Sequence, residues 1–360
     1  MNRLRITFIV PELNLSGGLR VVSIYAQLLA ERGHQVMVVS PAGRKPSIKQ
    51  YLKSIIHWKG YTFQSDFDAA YFNSQDYELK IIEPHRSAVE QDLPDADFVI
   101  ATWWETAEWI SDFSPRKGRK VYFIQGYEIF SELMIDRVKA TYYLPFHQIC
   151  VAKWLVDVMI NEFESLSIDL VSNSVNMELF NAEKRNKQVT PTIGFLFSEM
   201  KYKGVGVALK VIQKLKTSIP NLRVLSFGSK KPINIELPDY IELYVNPSQN
   251  DIQYIYSNCD VWLCCSLSEG FGLTILEAMA CRTPAVSTKS GGPEDIITDN
   301  ENGFLCDVND VDSLVTASKN ILCLQSSDWQ DFSHKAYSHA RRYSWHDATG
   351  LFEQSLINSK

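Results

Sequence analysis

This chain of 360 residues has no excess of positive charge, no long apolar run and no cysteine pair at zinc-binding spacing. Each absence removes a class of function. With 36 Lys and Arg against 42 Asp and Glu, the formal net charge of -6 argues against nucleic acid as the main partner, because phosphate binding favours basic domains. The one basic cluster, Arg116-Lys117-Gly118-Arg119-Lys120, reads as a solvated loop rather than a patch for lipid head groups. No segment has the apolar length that spans a membrane. Ile6 to Val10 is too short for a secretory signal, and Pro11 follows it. The cysteines, at 150, 259, 264, 265, 281, 306 and 323, are odd in number and sit in apolar contexts. Buried free thiols in a reducing cytoplasm are the expectation. Neither a solenoid repeat nor a low-complexity tract is present.

What the sequence does contain is two series of alternating strands and helices. "LRITFIVP", "NLSGG", "LRVVSIYAQLLAERG" and "HQVMVVS" read as strand, loop, helix and strand, the opening of a doubly wound parallel sheet. Strands 97–102, 120–125 and 147–152 continue it, and residues 44–80 read as helix and loop. The polar run "RNKQVT" at 185–190, before Pro191, reads as a linker. A second series follows: strand "TIGFLF", helix "GVGVALKVIQKLKTSIP", strands "LRVLSFG" and "IELYV", helix "SQNDIQYIYSNC", strand "DVWLCCS", a further helix, strand "PAVST" and a helix from "GGPEDII". A length of 360 residues suits two domains. The expected fold is α/β, with two Rossmann-like doubly wound domains facing across a cleft.

The densest chemistry lies in "SEGFGLTILEAMA", residues 268–280, directly after a strand. Ligands of open parallel sheets sit beyond the carboxyl ends of strands. Gly270 and Gly272 permit close backbone approach, and the amides of Phe271, Gly272 and Leu273 open a helix, which favours an anion such as phosphate. A carboxylate beside a phosphate is repelled, so Glu269 and Glu277 call for hydroxyl groups on either side. A ribose at Glu277 and a sugar at Glu269 make the ligand a nucleotide-sugar. The competing reading, Glu277 as an ordinary exposed helix glutamate, loses weight beside Glu269, the glycines and a second loop, "KSGGPED".

The stretch "SEGFGLTILEAMACRTPAVSTKSGGPEDIITDNENGF" resembles the E-x7-E region of retaining glycosyltransferases of family 4, which have the GT-B fold. "LNLSGGLRVVSIYAQLLAERGHQVMVVS", "VSNSVNMELFN", "KYKGVGVALKVI" and "YSWHDATGLFEQSL" resemble that family's N-terminal opening, interdomain segment, lysine-glycine helix start and C-terminal helix. The resemblance implies an acceptor domain over 1–172, a linker over 173–190, a donor domain over 191–342 and a helix over 343–360 that crosses back. It implies Glu269 and Lys203 as catalytic residues, on the donor sugar and the diphosphate. Gly17, Gly18, Ser198, Tyr244, Val245, Phe271, Gly272, Leu273 and Glu277 would bind donor. Gly17 and Gly18 would close over the diphosphate, and Tyr244 and Val245 would lie near the base. Ser198 departs from the pattern, since the family usually carries an arginine there; either Lys201 or another cation compensates, or the donor is held with less charge. Arg282 replaces a glycine after a helix end, where a cation suits the helix dipole.

On the acceptor side, "ATWWETAEW" and "FIQGYEIF" follow strands of the first series. Trp103, Trp104 and Tyr127 are candidates to stack on sugar rings, and Glu105, Gln125 and Glu128 to bind hydroxyls; core packing is the equal alternative for the tryptophans. Both segments are similar to a bacterial subgroup that includes chain-forming rhamnosyltransferases. Three Asp-x-Asp triplets, Asp66/Asp68, Asp95/Asp97 and Asp310/Asp312, are too short and too common a pattern to assign a metal, and no cofactor is expected. The implied activity is transfer of a sugar from a nucleoside-diphosphate donor to a glycan or lipid-linked acceptor in polysaccharide synthesis. The site is cytoplasmic, with association at the inner membrane face and oligomeric state left open. The alternative is a protein that binds a nucleotide-sugar or glycan without turnover. A nicotinamide dehydrogenase is disfavoured, since "PELNLSGG" lacks G-x-G-x-x-G and no acidic residue closes "HQVMVVS". A glycoside hydrolase using Glu269 and Glu277 would need no nucleotide.

Overall fold

A computed structural model describes residues 3–42, 71–84, 86–129 and 134–359. The chain divides into two compact units. One comprises Met1–Val151, Val156–Val171 and Thr349–Lys360, the other Ala152–Leu155 and Ser172–Ala348.

The first unit is built on β1 (Arg5–Ile9), α1 (Gly17–Glu31), β2 (Gln35–Pro41), β3 (Glu78–Ile82), β4 (Phe98–Ala101), α2 (Trp104–Ile110), β5 (Arg119–Ile124), α3 (Ile135–Tyr142), β6 (His147–Cys150), α4 (Lys153–Phe163) and β7 (Ile168–Leu170). Its sheet has the order β3-β2-β1-β4-β5-β6-β7, all parallel. The near-continuous apolar runs follow from burial on both faces, as in β4, where every residue is buried. Ser16 caps α1 by accepting from the Leu19 amide. Gly33, with φ of 91°, ends the turn into β2 in a conformation that glycine adopts without penalty.

The second unit contains β8 (Thr192–Leu196), α5 (Val205–Ser218), β9 (Arg223–Gly228), β10 (Ile241–Val245), α6 (Gln249–Ser257), β11 (Val261–Cys264), α7 (Leu273–Ala280), β12 (Ala285–Thr288), α8 (Pro293–Ile296), β13 (Gly303–Cys306), α9 (Val311–Leu322) and α10 (Ser326–Ala340). Its parallel sheet has the order β10-β9-β8-β11-β12-β13. A last helix, α11 (Trp345–Asn358), supplies the first unit with core from Thr349 onward. Phe352 lies 4.6 Å from the Tyr25 ring and 5.2 Å from Phe123. The buried Glu353 takes the Arg32 guanidinium at 2.7 Å and the His34 ring at 3.1 Å. Such a helix cannot be detached cheaply, because losing it would leave the Arg32 guanidinium without this carboxylate and open the aromatic core.

Several sequence expectations are corrected. The stretch expected as helix and loop to residue 80 ends in a strand, β3, which is paired in parallel with β2. The rest of that stretch up to 70, with Asp66 and Asp68, lies outside the described residues. The polar run 185–190 is tied into the second unit rather than loose. Lys187 donates to the carbonyls of Leu322 and Leu324, Arg185 lies 4.5 Å over the Trp329 ring, and the Gln188 amide donates to the buried Asp260. The basic cluster does lie at the surface, with Arg116 79% exposed; there Lys117 reaches the Leu93 carbonyl and Asp95, and Arg116 pairs with Asp95 at 2.9 Å. That pairing, with Asp97 accepting from the Arg5 amide, accounts for one aspartate triplet. Asp310 of another caps α9 through the Ser313 amide. Among the described residues, no group of three or more His, Cys, Asp or Glu is placed to hold a metal, and no helix is long and apolar enough to cross a membrane.

Candidate active site at the carboxyl ends of β8 and β11

In the second sheet the strand order reverses between β8 and β11. At that switch point the crossover helices leave in opposite directions and their loops part, which is where open sheets bind ligands. Lys203 follows β8 and Glu269 follows β11. Their side chains meet at 2.7 Å, Nζ to Oε2, with 22% and 15% of the side chains exposed. Ser266 donates to the same carboxylate oxygen at 3.0 Å. Burial pulls Lys203 down, but Glu269 beside it, with Tyr202, holds it above the ordinary lysine value. Lys203 is therefore charged at neutral pH. A small cavity of about 20 Å³, room for a single water, lies beside the pair and is lined by Cys264, Ser266 and Thr274.

The backbone here has no room to spare. Gly204, with φ of 64°, passes so close to β11 that a Cβ would stand 1.8 Å from the Cys265 carbonyl oxygen. Only glycine brings the lysine turn this near. Glu269 and Gly291 form an isolated parallel bridge, with the Glu269 amide on the Ser290 carbonyl at 2.8 Å and the Gly292 amide on the Glu269 carbonyl at 2.9 Å. Gly272, at φ 101°, is the N-cap of α7, and no side chain caps that helix. The Ile275 amide bonds back to the Gly272 carbonyl at 3.0 Å, and the N–H groups before it, at Leu273 and Thr274, together with the helix dipole favour an anion.

Glu277 is not an exposed helix glutamate. It is 4% exposed and accepts the Tyr256 hydroxyl at 2.9 Å. Phe271 is buried against Tyr343, Gly272 is buried and Leu273 half-buried. Tyr244 is half-buried and Val245 exposed at the carboxyl end of β10. The hydroxyl of Ser198 accepts the Met200 amide at 3.2 Å, so it serves its own turn, and Lys201 is exposed two residues from Lys203. Sequence reasoning missed Ser266 and Tyr256. Ser266 lies in the loop after β11 and Tyr256 in the last turn of α6, and only the fold reveals which carboxylate each meets.

In the first unit, Gly17 is exposed at the start of α1, and a Cβ on Gly18 would stand 3.5 Å from the Gln125 amide. The Gln125 Oε1 is buried with no partner among the described residues. Trp103 and Glu105 are half-buried at the start of α2. Trp104, by contrast, is core, with Arg137 over its ring at 5.0 Å. Glu128 is buried as well, accepting the Trp104 amide at 3.1 Å, and burial pushes its carboxyl well above the usual range. Tyr127 gives its hydroxyl to Glu162 at 2.7 Å.

Residues 178–339 match the family described as glycosyl transferases group 1. The matched segment is a little less than half of the chain. It contains both glutamates and Lys203. Over 141 residues the chain is 34% identical to an uncharacterized glycosyltransferase of Haemophilus influenzae, covering 37% of this chain and 39% of the relative. Over 170 residues it is 31% identical to a D-inositol 3-phosphate glycosyltransferase of Corynebacterium urealyticum, covering 42% and 39%. The chain thus spans less than half the length of these curated relatives. Among solved structures, sucrose-phosphate synthase from Thermosynechococcus elongatus superposes with a TM-score of 0.72 at 15% identity, covering 99% of this chain and 100% of that one. HepE of Anabaena, in complex with UDP-glucose, superposes with a TM-score of 0.73 at 14% identity, with the same coverage. The fold of the group 1 domain and of its companion is that of GT-B glycosyltransferases.

Proposed function

We propose that this chain is a retaining, family 4 glycosyltransferase that moves a hexosyl or deoxyhexosyl group from a nucleoside-diphosphate donor to a hydroxyl of a glycan or lipid-linked glycan. The observation that carries this reading is the Lys203–Glu269 pair at the switch point beside an uncapped helix N-terminus. One carboxylate for sugar hydroxyls, one ammonium and one helix start for a diphosphate suit a nucleotide-sugar. The nucleotide-sugar in the HepE complex is in keeping with it. In the reaction the bond from the anomeric carbon to the diphosphate breaks, the acceptor oxygen bonds to that carbon from the same face, and the leaving phosphate takes the acceptor's proton. Lys203 and the α7 amides stabilise the departing charge, so the reading assigns no metal and no cofactor. Free, mostly buried thiols support a cytoplasmic setting, and the role we assign is synthesis of a surface or extracellular polysaccharide.

The second reading is a protein that binds a nucleotide-sugar or glycan without turnover. Its support is Ser198, whose hydroxyl is spent on the Met200 amide where the resembling family carries a cation. A thermal-shift screen against dTDP, UDP, GDP and ADP and their sugars, with Glu277→Ala in parallel, tests the donor site. Selective stabilisation by one series, lost in the variant, is the expected result. No shift at millimolar ligand would refute it. Transfer or hydrolysis of the donor would then separate enzyme from binding protein.

A further inference from the structure

We propose that Trp154 is a positioning residue that aims the Phe271 amide into the donor site; this rests on the donor-site reading above. Trp154 stands in the first turn of α4, within the stretch Ala152–Leu155 that groups with the second unit. Its indole Nε1–H donates to the Gly270 carbonyl at 2.9 Å, across 116 residues of sequence. The same ring packs against Gly291, where a Cβ would come within 2.4 Å of it. Gly291 is the bridge partner of Glu269. One indole therefore rests on both halves of the small bridge that carries the catalytic glutamate. The backbone of this turn is itself fixed, since the Lys153 amide donates to Asp295 at 2.6 Å.

The consequence follows from peptide geometry. The Gly270 carbonyl and the Phe271 N–H belong to one planar unit, and no peptide bond among the described residues is cis. In a trans peptide the two groups point in opposite directions. Holding the carbonyl toward Trp154 turns the Phe271 N–H away from it. That N–H is among the donors assigned to the diphosphate and sugar. The indole hydrogen bond thus sets the direction of a group that it does not touch, while Gly291 keeps the ring in place.

Trp154→Phe keeps an aromatic ring on Gly291 and removes only the N–H. Two measurements test the idea. Hydrogen exchange of the 268–274 segment in the free protein should become faster in the variant. Calorimetric titration should show about a tenfold loss of affinity for the nucleoside diphosphate and nucleotide-sugar that the wild-type chain binds, the effect of one hydrogen bond to a charged group. Affinity for the corresponding monophosphate should stay within about twofold, because a monophosphate ends short of the turn. Equal loss for mono- and diphosphate would mark a merely structural role and overturn the proposal, as would unchanged exchange at 268–274. Should the wild-type chain bind no nucleotide at all, the donor-site reading fails, and with it the role of the Phe271 amide. Faster exchange would then still show that Trp154 holds the turn, and unchanged exchange would refute that too.

Discussion

The Lys203–Glu269 contact offers the most direct test of how the site divides its labour. At 2.7 Å and an effective dielectric constant near 20, the gross attraction is about 6 kcal/mol. Most of it is offset by the cost of taking both groups out of water, and the pair is 15–22% exposed, so a further discount for screening applies. Replacing Lys203 by Met leaves Glu269 with the Ser266 hydroxyl as its remaining side-chain donor, which should cost about 1–3 kcal/mol of stability. Glu269→Gln should cost a similar amount. The double variant should fall short of the sum by about 1–2 kcal/mol, because each single change already breaks the pair. In a unit of this size that coupling appears as a melting shift of about 2–8 °C. Ligand binding separates the two residues further. Lys203→Met should weaken a bare nucleoside diphosphate at least about tenfold, the loss of one charge-assisted contact. Glu269→Gln should leave that ligand almost unaffected and weaken the nucleotide-sugar. A Lys203→Met protein that binds the diphosphate as well as wild type would refute the reasoning, since the lysine would then serve only its glutamate.

Four further outcomes are expected. Glu277→Ala should lower affinity for the nucleotide about tenfold to a hundredfold and also lower the melting temperature of the free protein, because the buried Tyr256 hydroxyl loses its acceptor; Tyr256→Phe should reproduce part of the second effect, read by calorimetry and thermal melts. Gly204→Ala should cost at least about 3 kcal/mol in denaturant unfolding, given the 1.8 Å approach to the Cys265 carbonyl. Arg282 sits at φ 61° after α7, with Nε on the Ala182 carbonyl at 2.8 Å and its guanidinium 3.9 Å over the Tyr337 ring; Arg282→Ala should therefore be about 1 kcal/mol less stable than Arg282→Gly, since both lose the contacts and only alanine keeps the left-handed strain. Burial pushes the Asp260 carboxyl up to about 6 from an ordinary 3.8. The folded chain therefore takes up this proton before the unfolded one does, and stability from this group is lost as pH rises through 6. The stability of wild type over Asp260→Asn should grow as pH falls from 7.5 to 4.5, by about 2 kcal/mol in paired melts.

What the sequence made legible was whatever a period or a backbone demand writes locally. β1, β4, β8 and β11 are apolar runs because parallel strands are covered on both faces, and that composition is visible without a partner. The turn at 268–272 was legible because glycine at φ 101° and a helix start leave a local signature. β3, β7 and β13 were not. Each lies at or beside a sheet edge, and β3 and β7 carry exposed positions that dilute the apolar signal. Long-range pairing was equally hidden. Arg185 and Lys187 look like linker residues in sequence because their acceptors, the Cys259 and Leu322 carbonyls, lie 74 and 135 residues away. Burial of Glu277 and Glu128 was hidden for the same reason, since the Tyr256 hydroxyl and the Trp104 amide that donate to them are set by the fold. The consequence for function is specific. A residue type such as glutamate in a promising loop names a chemistry, but only its partners decide whether it is open to a ligand or faces the core. By that criterion Trp103, Glu105 and Gln125 stay candidates for the acceptor, Gln125 most of all because its buried Oε1 has no partner among the described residues. A buried amide oxygen without a donor costs about 1–3 kcal/mol, and a sugar hydroxyl delivered there would recover it. Gln125→Leu should therefore leave the folded chain as stable as before or more so, while raising KM for the acceptor and not for the donor. A variant that is destabilised, with acceptor KM unchanged, would show that the oxygen is satisfied within the fold and would remove Gln125 from the site.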